Sequence, residues 1–250
     1  MDLPGWTILL IAPAIGSWLG VLVRRWPQGR SLAMARSCCD HCGHVLAPLD
    51  LVPIFSFFYL RGRCRFCSAL IDPFHLVIEL AAVSVALLAF CADDNGPQLW
   101  IDACLGWALL CMAWIDAETF RLPDLITLPL TLAGLTVTWF FQPAALYQHG
   151  LAAALGYSGF RLLDYVYLRL RHRHGLGEGD AKLLAAAGAW LGLTALPYVV
   201  LGAGLIGILM VVLARRPSGF NREQQIAFGP ALALAFFLWR LFGGQFGALV

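Results

Sequence analysis

The chain has 250 residues, 60% of them hydrophobic and 13% charged, with a formal net charge of +2 and a mean hydropathy of +0.75. A soluble globular domain carries about 25% charged residues, so the composition excludes a soluble enzyme or binding module. The small net charge gives no reason to expect nucleic acid or an acidic partner. What remains is an all-α polytopic integral membrane protein.

Eight apolar segments of spanning length are expected, near 6–23, 74–91, 99–115, 125–141, 150–168, 181–197, 198–214 and 228–246, at roughly 20 residues per crossing. The sixth and seventh are divided near Pro197, although proline also occurs inside membrane helices. Residues 1–5 lack a basic start, and Arg24-Arg25 follow the first apolar run, so that run reads as a retained helix and not as a signal peptide.

Sixteen of the seventeen basic residues are arginines; the exception is Lys182. Arg24, Arg25, Arg30, Arg36, Arg61, Arg63 and Arg65 fall between the first and second spans. Arg121 follows the third span, Arg169, Arg171 and Arg173 the fifth, and Arg215, Arg216 and Arg222 the seventh. The alternate stretches 1–5, 92–98 and 142–149 carry no Lys or Arg. The positive-inside rule therefore predicts that the arginine-bearing loops are cytoplasmic and both termini lie outside.

The one long polar insert covers residues 24–73, which is too long for a simple connection. The domain organisation expected is a first membrane helix over 1–23, a cytoplasmic unit over 24–73 and a seven-helix membrane part over 74–250. The insert holds two CxxC pairs, Cys39-Asp40-His41-Cys42 and Cys64-Arg65-Phe66-Cys67. Two thiolates at such spacing hold one side of a metal, and two pairs complete a tetrahedral four-thiolate zinc site. A cytoplasmic loop disfavours disulfides as the alternative. Cys38 competes with Cys39 for the first ligand position, and His41 and His44 are alternatives to a thiolate, although each reads more simply as an ordinary surface histidine. Four filled positions leave none for substrate, so this zinc would fold the loop and not perform chemistry. Cys91, Cys104 and Cys111 lie in apolar spans and read as packing residues.

Two carboxylates stand at the cytoplasmic ends of spans. Asp116 closes the third, in Trp114-Ile115-Asp116-Ala117-Glu118-Thr119-Phe120-Arg121-Leu122-Pro123-Asp124. Asp180 opens the sixth, in Gly175-Leu176-Gly177-Glu178-Gly179-Asp180-Ala181-Lys182-Leu183. An ionisable residue at a bilayer boundary is costly and therefore a functional candidate; the bland alternative for Asp180 is a helix N-cap. Brought together, the two acids would share one proton. One would activate a water and the other protonate a scissile carbonyl, as in aspartic proteases. They would titrate as a unit, with no fixed acid or base. Glu118 and Asp124 are rival second carboxylates: Glu118 would point elsewhere on a continuing helix, and Asp124, after Pro123, reads as an N-cap. Lys182 reads as a headgroup anchor or a partner of a carboxylate.

Taken together, these stretches resemble one family. Gly177-Glu178-Gly179-Asp180 matches the GxGD signature of intramembrane aspartyl proteases, and its continuation through Gly192 is similar to the bacterial type IV prepilin leader peptidase/N-methyltransferase family. Ile115-Asp116 to Leu122-Pro123-Asp124 resembles that family's first aspartate motif, and Leu60-Arg61-Gly62-Arg63-Cys64-Arg65-Phe66-Cys67 resembles its cysteine-bearing loop. Gly16-Ser17, Glu79 and Phe228-Gly229-Pro230 also fall where the family has similar residues. The chain departs from the family pattern at Gly20, where asparagine is usual, and at Cys38-Cys39-Asp40, where a single Cys followed by Pro is usual.

The resemblance implies an enzyme of the bacterial inner membrane that cuts the basic leader from type IV prepilins or type II secretion pseudopilins, after a glycine and at the cytoplasmic face. It would then methylate the new N-terminus with S-adenosylmethionine. Asp116 and Asp180 would be the catalytic pair, and Gly177, Gly179, Lys182 and Asp124 would support it. Cys39, Cys42, Cys64 and Cys67 would hold structural zinc, and Gly16, Ser17 and Glu79 mark the candidate methyl-donor region. The competing expectations are a peptidase without methyltransferase activity and a proton-coupled transporter relaying through Asp116, Asp164 and Asp180.

Overall fold

Long apolar runs leave each helix to satisfy its own backbone, and the helices stop where glycine, proline or polar residues intervene. In the computed structural model the order is α1 (Thr7–Arg25), α2 (Phe55–Tyr59), α3 (Phe74–Ala92), α4 (Pro97–Thr119), α5 (Asp124–Phe141), α6 (Leu146–Arg171), α7 (Glu178–Leu191), α8 (Leu196–Leu213) and α9 (Gly229–Gly247). The structure describes residues 5–29, 37–39, 41–92, 96–172, 175, 177–213 and 227–247. Asp40, Leu176, His174 and the arginines Arg30, Arg36, Arg173, Arg215, Arg216 and Arg222 lie outside them. All helices but α2 correspond in order to the eight expected spans. Among the described residues the strand pairing is confined to two isolated antiparallel bridges, Cys38 with Val45 and Arg63 with Leu70.

By length and composition, five helical segments among the described residues suffice to cross a membrane: Thr7–Gln28, Phe74–Ala92, Pro97–Thr119, Asp124–Phe141 and Leu193–Leu213. The protein is a multi-pass membrane protein. One expected span needs correction. The sixth, expected over 181–197, is shorter: α7 has 14 residues and ends at Leu191, a rise of about 21 Å. Gly192 then takes φ +80, Leu193–Ala195 forms a short turn, and α8 starts at Leu196. Pro197 sits in the first turn of α8, where its missing N–H leaves no intrahelical bond unmade. The proline therefore marks a helix start and not the end of the one before it.

The chain divides into two compact units, Met1–Trp107 and Ala108–Val250. In the first, α1 packs on α3. Their closest approach is at Gly16, where a Cβ would lie 2.7 Å from Glu79 Cα and 2.9 Å from Ala82 Cβ. Small residues allow this contact between membrane helices. The Trp107 indole donates to the Ala82 carbonyl at 3.0 Å. Arg24 pairs with Asp72 and lies over the Phe74 ring at 4.3 Å, so the two ends of the polar insert are tied together.

In the second unit α7 is central and packs on α5, α6, α8 and α9. Its composition explains this: Ala181, Ala186, Ala187, Gly188 and Ala189 are all buried, and short side chains let neighbouring backbones come close. A Cβ at Gly188 would lie 2.6 Å from the Ala152 carbonyl of α6. At the far end Trp190 lies against Gly134 of α5 and donates its indole N–H to the Leu130 carbonyl at 2.8 Å. The helix that carries Asp180 in its first turn is thus enclosed by four neighbouring helices.

Candidate active site

Asp116 lies near the end of α4, and its residue is only 6% exposed. The helix runs on through Thr119, and Phe120 at φ +54 reverses the chain toward Leu122-Pro123 and α5. One oxygen of Asp116, Oδ2, accepts the backbone N–H of Gly229 at 3.1 Å. Gly229 opens α9, where N–H groups lack intrahelical partners and the helix dipole favours a carboxylate. Glycine is required there, since a Cβ would lie 2.5 Å from that same oxygen.

Asp180 is 7% exposed. The expectation that it caps a helix is corrected in one respect: Gly177 is the N-cap and Asp180 is the third helical residue. Its Oδ2 accepts the Gly177 N–H at 3.3 Å, which is the acidic half of a capping box. Gly177 has no side chain to supply the other half. Gly179 presses the start of α7 against Leu122, where a Cβ would meet the leucine Cβ at 2.8 Å. The chain after Asp116 and the chain before Asp180 thereby share one contact, and the charge of Asp116 reaches Asp180. Each carboxylate has one oxygen held by a backbone N–H.

The other acids separate from this pair. Glu118 is exposed and accepts from the Trp114 indole at 3.1 Å. Asp124 is not the N-cap of α5, a place taken by Pro123; it is the first helical residue, and Lys182 Nζ lies 2.7 Å from its carboxylate. Lys182 also pairs with Glu178 at 3.0 Å. The lysine joins the starts of α5 and α7, and is not an anchor reaching out to lipid. Such partly exposed pairs contribute about 0.5–1 kcal/mol. A double-mutant cycle with Lys182→Met and Asp124→Asn is expected to give a coupling of about that size in thermal or denaturant unfolding.

Asp164 of α6 is buried and accepts the Gly175 N–H at 2.9 Å. It holds the entry of the glycine stretch, a role that sequence reading left undecided. The Gly229 contact was likewise invisible beforehand, beyond the resemblance of Phe228-Gly229-Pro230.

The insert forms a four-cysteine group. The Sγ atoms of Cys39, Cys42, Cys64 and Cys67 lie within 4.8 Å of one another, with Cys39 and Cys67 3.8 Å apart. A tetrahedral site with bonds of about 2.3 Å to zinc has sulfur–sulfur edges of about 3.8 Å, so the group fits such an ion. The two halves repeat one hydrogen-bond pattern. Cys39 N–H donates to the His44 carbonyl and Gly43 N–H to that of Cys39, each at 2.9 Å. Cys64 N–H donates to Ala69 at 2.8 Å and Ser68 N–H to Cys64 at 2.9 Å. Gly43 and Ser68 both take positive φ, +69 and +57. Cys38 stands outside the group, in the bridge with Val45. Hydrogen bonds from the backbone of Cys42 and His41 pull the Cys39 thiol down to about 6. At Cys67 the backbone N–H of Ala69 acts in the same sense, but lost solvation and the three neighbouring thiols outweigh it and push the group up to about 11. Four thiols this close favour a bound cation, which removes their mutual repulsion. The His44 ring lies tilted against Phe66 at 35°, with ring centroids 3.6 Å apart.

In the same unit, buried Glu79 accepts the Ile54 N–H at 2.7 Å and a hydrogen bond from Ser17. Its carboxylate is occupied by the protein's own groups.

The arrangement is that of a multi-pass helical membrane protein with a buried carboxylate pair and a four-thiolate knuckle. Residues 10–92 match the bacterial peptidase A24 N-terminal domain, and residues 103–212 match the type IV leader peptidase family. A prepilin leader peptidase/N-methyltransferase from Burkholderia pseudomallei is 38% identical over 226 residues, covering 90% of this chain and 72% of the relative. Proteins of the same name from Aeromonas hydrophila and Dickeya chrysanthemi are 34% and 37% identical, covering 94% and 91% of this chain and 90% and 89% of theirs. No solved structure matches. The chain belongs to the prepilin leader peptidase/N-methyltransferase family.

Proposed function

We propose that the protein cleaves the leader peptide of type IV prepilins or related pseudopilins and N-methylates the product, with Asp116 and Asp180 as the catalytic pair. The observation that carries the peptidase assignment is the geometry of two buried acids. Each is gripped at Oδ2 by a backbone N–H, from Gly229 and from Gly177. Each therefore keeps its second oxygen for chemistry. One acid, ionised, takes a proton from a water as that water adds to the scissile carbonyl carbon. The other, protonated, gives its proton to the carbonyl oxygen. On collapse of the tetrahedral diol the C–N bond breaks: the acid that took the water's proton gives it to the leaving amine, and the other carboxylate takes a proton from a diol hydroxyl as the new carboxyl group forms. The pair shares one proton at the start and again at the end.

Gly177 and Gly179 support the site by permitting close backbone approach, and Lys182 with Asp124 fixes the spacing of α5 and α7. Arginine placement supports a cytoplasmic site in the inner membrane, where a substrate with a basic leader and an apolar helix presents its scissile bond. The four cysteines would hold zinc and give the 24–73 insert its fold as the methyltransferase part. S-adenosylmethionine supplies the methyl group. Gly16, Ser17 and Glu79 would bear on that step indirectly, by holding Ile54 and the insert on α3, since their polar atoms are already engaged.

The test is intact mass of a prepilin incubated with purified protein. Loss of the leader with a gain of ~14 Da on the product supports both activities; loss of the leader alone restricts the assignment to the peptidase; an unprocessed prepilin overturns it. Gly229→Ala adds one methyl group against Asp116 and is expected to reduce cleavage about 10²-fold with the protein still folded, since displacements near 1 Å suffice for that loss. Cleavage rates at wild-type level would show that the Gly229 contact does not position Asp116.

A further inference from the structure

The polar insert contains a short apolar element that neither the carboxylate pair nor the cysteine group uses. In α2, Phe55, Phe58 and Tyr59 are 78%, 65% and 86% exposed, and Leu49 and Leu51 before it are also exposed. Its depth can be read from one hydrogen bond. Ile54, the residue before α2, donates to Glu79. Glu79 lies five residues into α3, about 7 Å along the axis from its start. The same carboxylate is bonded by Ser17, which lies about 12 Å from the Arg25 end of α1. Arg24, Arg25 and Asp72 mark the polar level at those helix ends. The aromatic turn is thus pinned below that level, beside helices whose outward side chains, Trp18 and Val77 among them, are exposed and face lipid in a membrane protein.

We propose that the Leu49–Tyr59 segment inserts into the bilayer as an interfacial anchor, with Phe55, Phe58 and Tyr59 at the acyl–headgroup boundary. Interfacial elements bury apolar faces about 5–10 Å deep, the depth that the Glu79 bond sets. The backbone tolerates this, because much of the turn is hydrogen-bonded locally. Ser56 N–H donates to Val52, Phe58 to Ile54, Leu60 to Ser56 and Gly62 to Phe57, at 3.0, 3.2, 2.9 and 2.8 Å. Directly after the turn come Arg61, Arg63 and Arg65, all exposed. The nearby acids are engaged: Asp72 by Arg24, and Asp50 at 3.9 Å by Arg65. An excess of guanidinium groups beside these exposed aromatics suits anionic lipid phosphates. The anchor holds the cysteine knuckle at the membrane surface.

This inference does not depend on the peptidase assignment, and its test does not read activity. The full-length protein is placed in nanodiscs of phosphatidylethanolamine and phosphatidylglycerol, with p-benzoylphenylalanine in place of Phe58 or, separately, Tyr59. A third protein carries the label at exposed His41. After irradiation, intact mass reports adducts. The expected result is lipid adducts at 58 and 59 in about tenfold excess over 41, as for an interfacially inserted face against an aqueous one. Lipid adducts equal at all three positions overturn the proposal. So do adducts at 58 and 59 found only with a second copy of the chain or with added prepilin. The two labelled sites are both exposed, so a folding defect at one leaves the other decisive.

Discussion

Asp116→Asn and Asp180→Asn should each lower leader cleavage by roughly a thousandfold or more, while both proteins remain folded. The substitution keeps the shape of each side chain, and the amide oxygen still accepts from Gly229 or Gly177. What it removes is the ability to carry and release a proton. The two acids act on one water and one carbonyl, so the double variant should be no worse than either single one, as for residues that work as a unit. Stability should hold or rise slightly, because an acid buried to 6% or 7% exposure loses its desolvation cost as an amide. Asp124→Asn is the matched control: it loses an exposed ion pair with Lys182 and should keep cleavage within about threefold of wild type, a loss of under 1 kcal/mol. The measurement is initial cleavage rate on a purified prepilin, with thermal unfolding in parallel. A thousandfold loss in Asp124→Asn with normal rates in Asp116→Asn would move the assignment to Asp124.

The positions of the membrane helices were legible because span length and apolarity are local properties of the chain. Among the described residues the eight apolar runs correspond in order to eight helices, five of them long and apolar enough to cross a membrane. Where the reading slipped, the deciding quantity was conformational. Proline at 197 is visible as a letter, but whether it closes one helix or opens the next depends on the φ of Gly192, five residues earlier. The same applies at Asp124, which a one-residue shift changes from cap to first helical residue.

The candidate site was legible in its residue types and not in its wiring. A carboxylate at the edge of an apolar run announces itself, and the spacing of cysteines dictates the knuckles. The hydrogen bond between Asp116 and Gly229 joins residues 113 apart in sequence, and the Ile54 bond to Glu79 joins an insert to a helix 25 residues on. Nothing local encodes such pairings. The choice between Cys38 and Cys39 was of this kind too: it follows from the bonds that Cys39 shares in pattern with Cys64, each closed by a positive-φ residue four positions on.

Removing one ligand of the cysteine group should separate the two activities. Cys42→Ala or Cys64→Ala leaves three thiolates for an ion whose binding in small zinc folds contributes on the order of 10–16 kcal/mol. Most of the bound metal should be lost, and with it the ordered packing of Gly62–Leu70 and its partner knuckle. Methylation should then fail, read as a product without the ~14 Da increment. Cleavage should fall by less than about tenfold, because Asp116, Asp180 and Gly229 belong to a unit with its own packed core. Cys38→Ala should keep both metal and methylation, since its side chain lies outside the group. The metal-to-protein ratio and product mass together decide the matter. Complete metal loss with methylation intact would remove the insert from the transferase reaction. Equal loss of cleavage and methylation would instead mean that the knuckle serves the fold of the whole chain, and that the carboxylate pair depends on it.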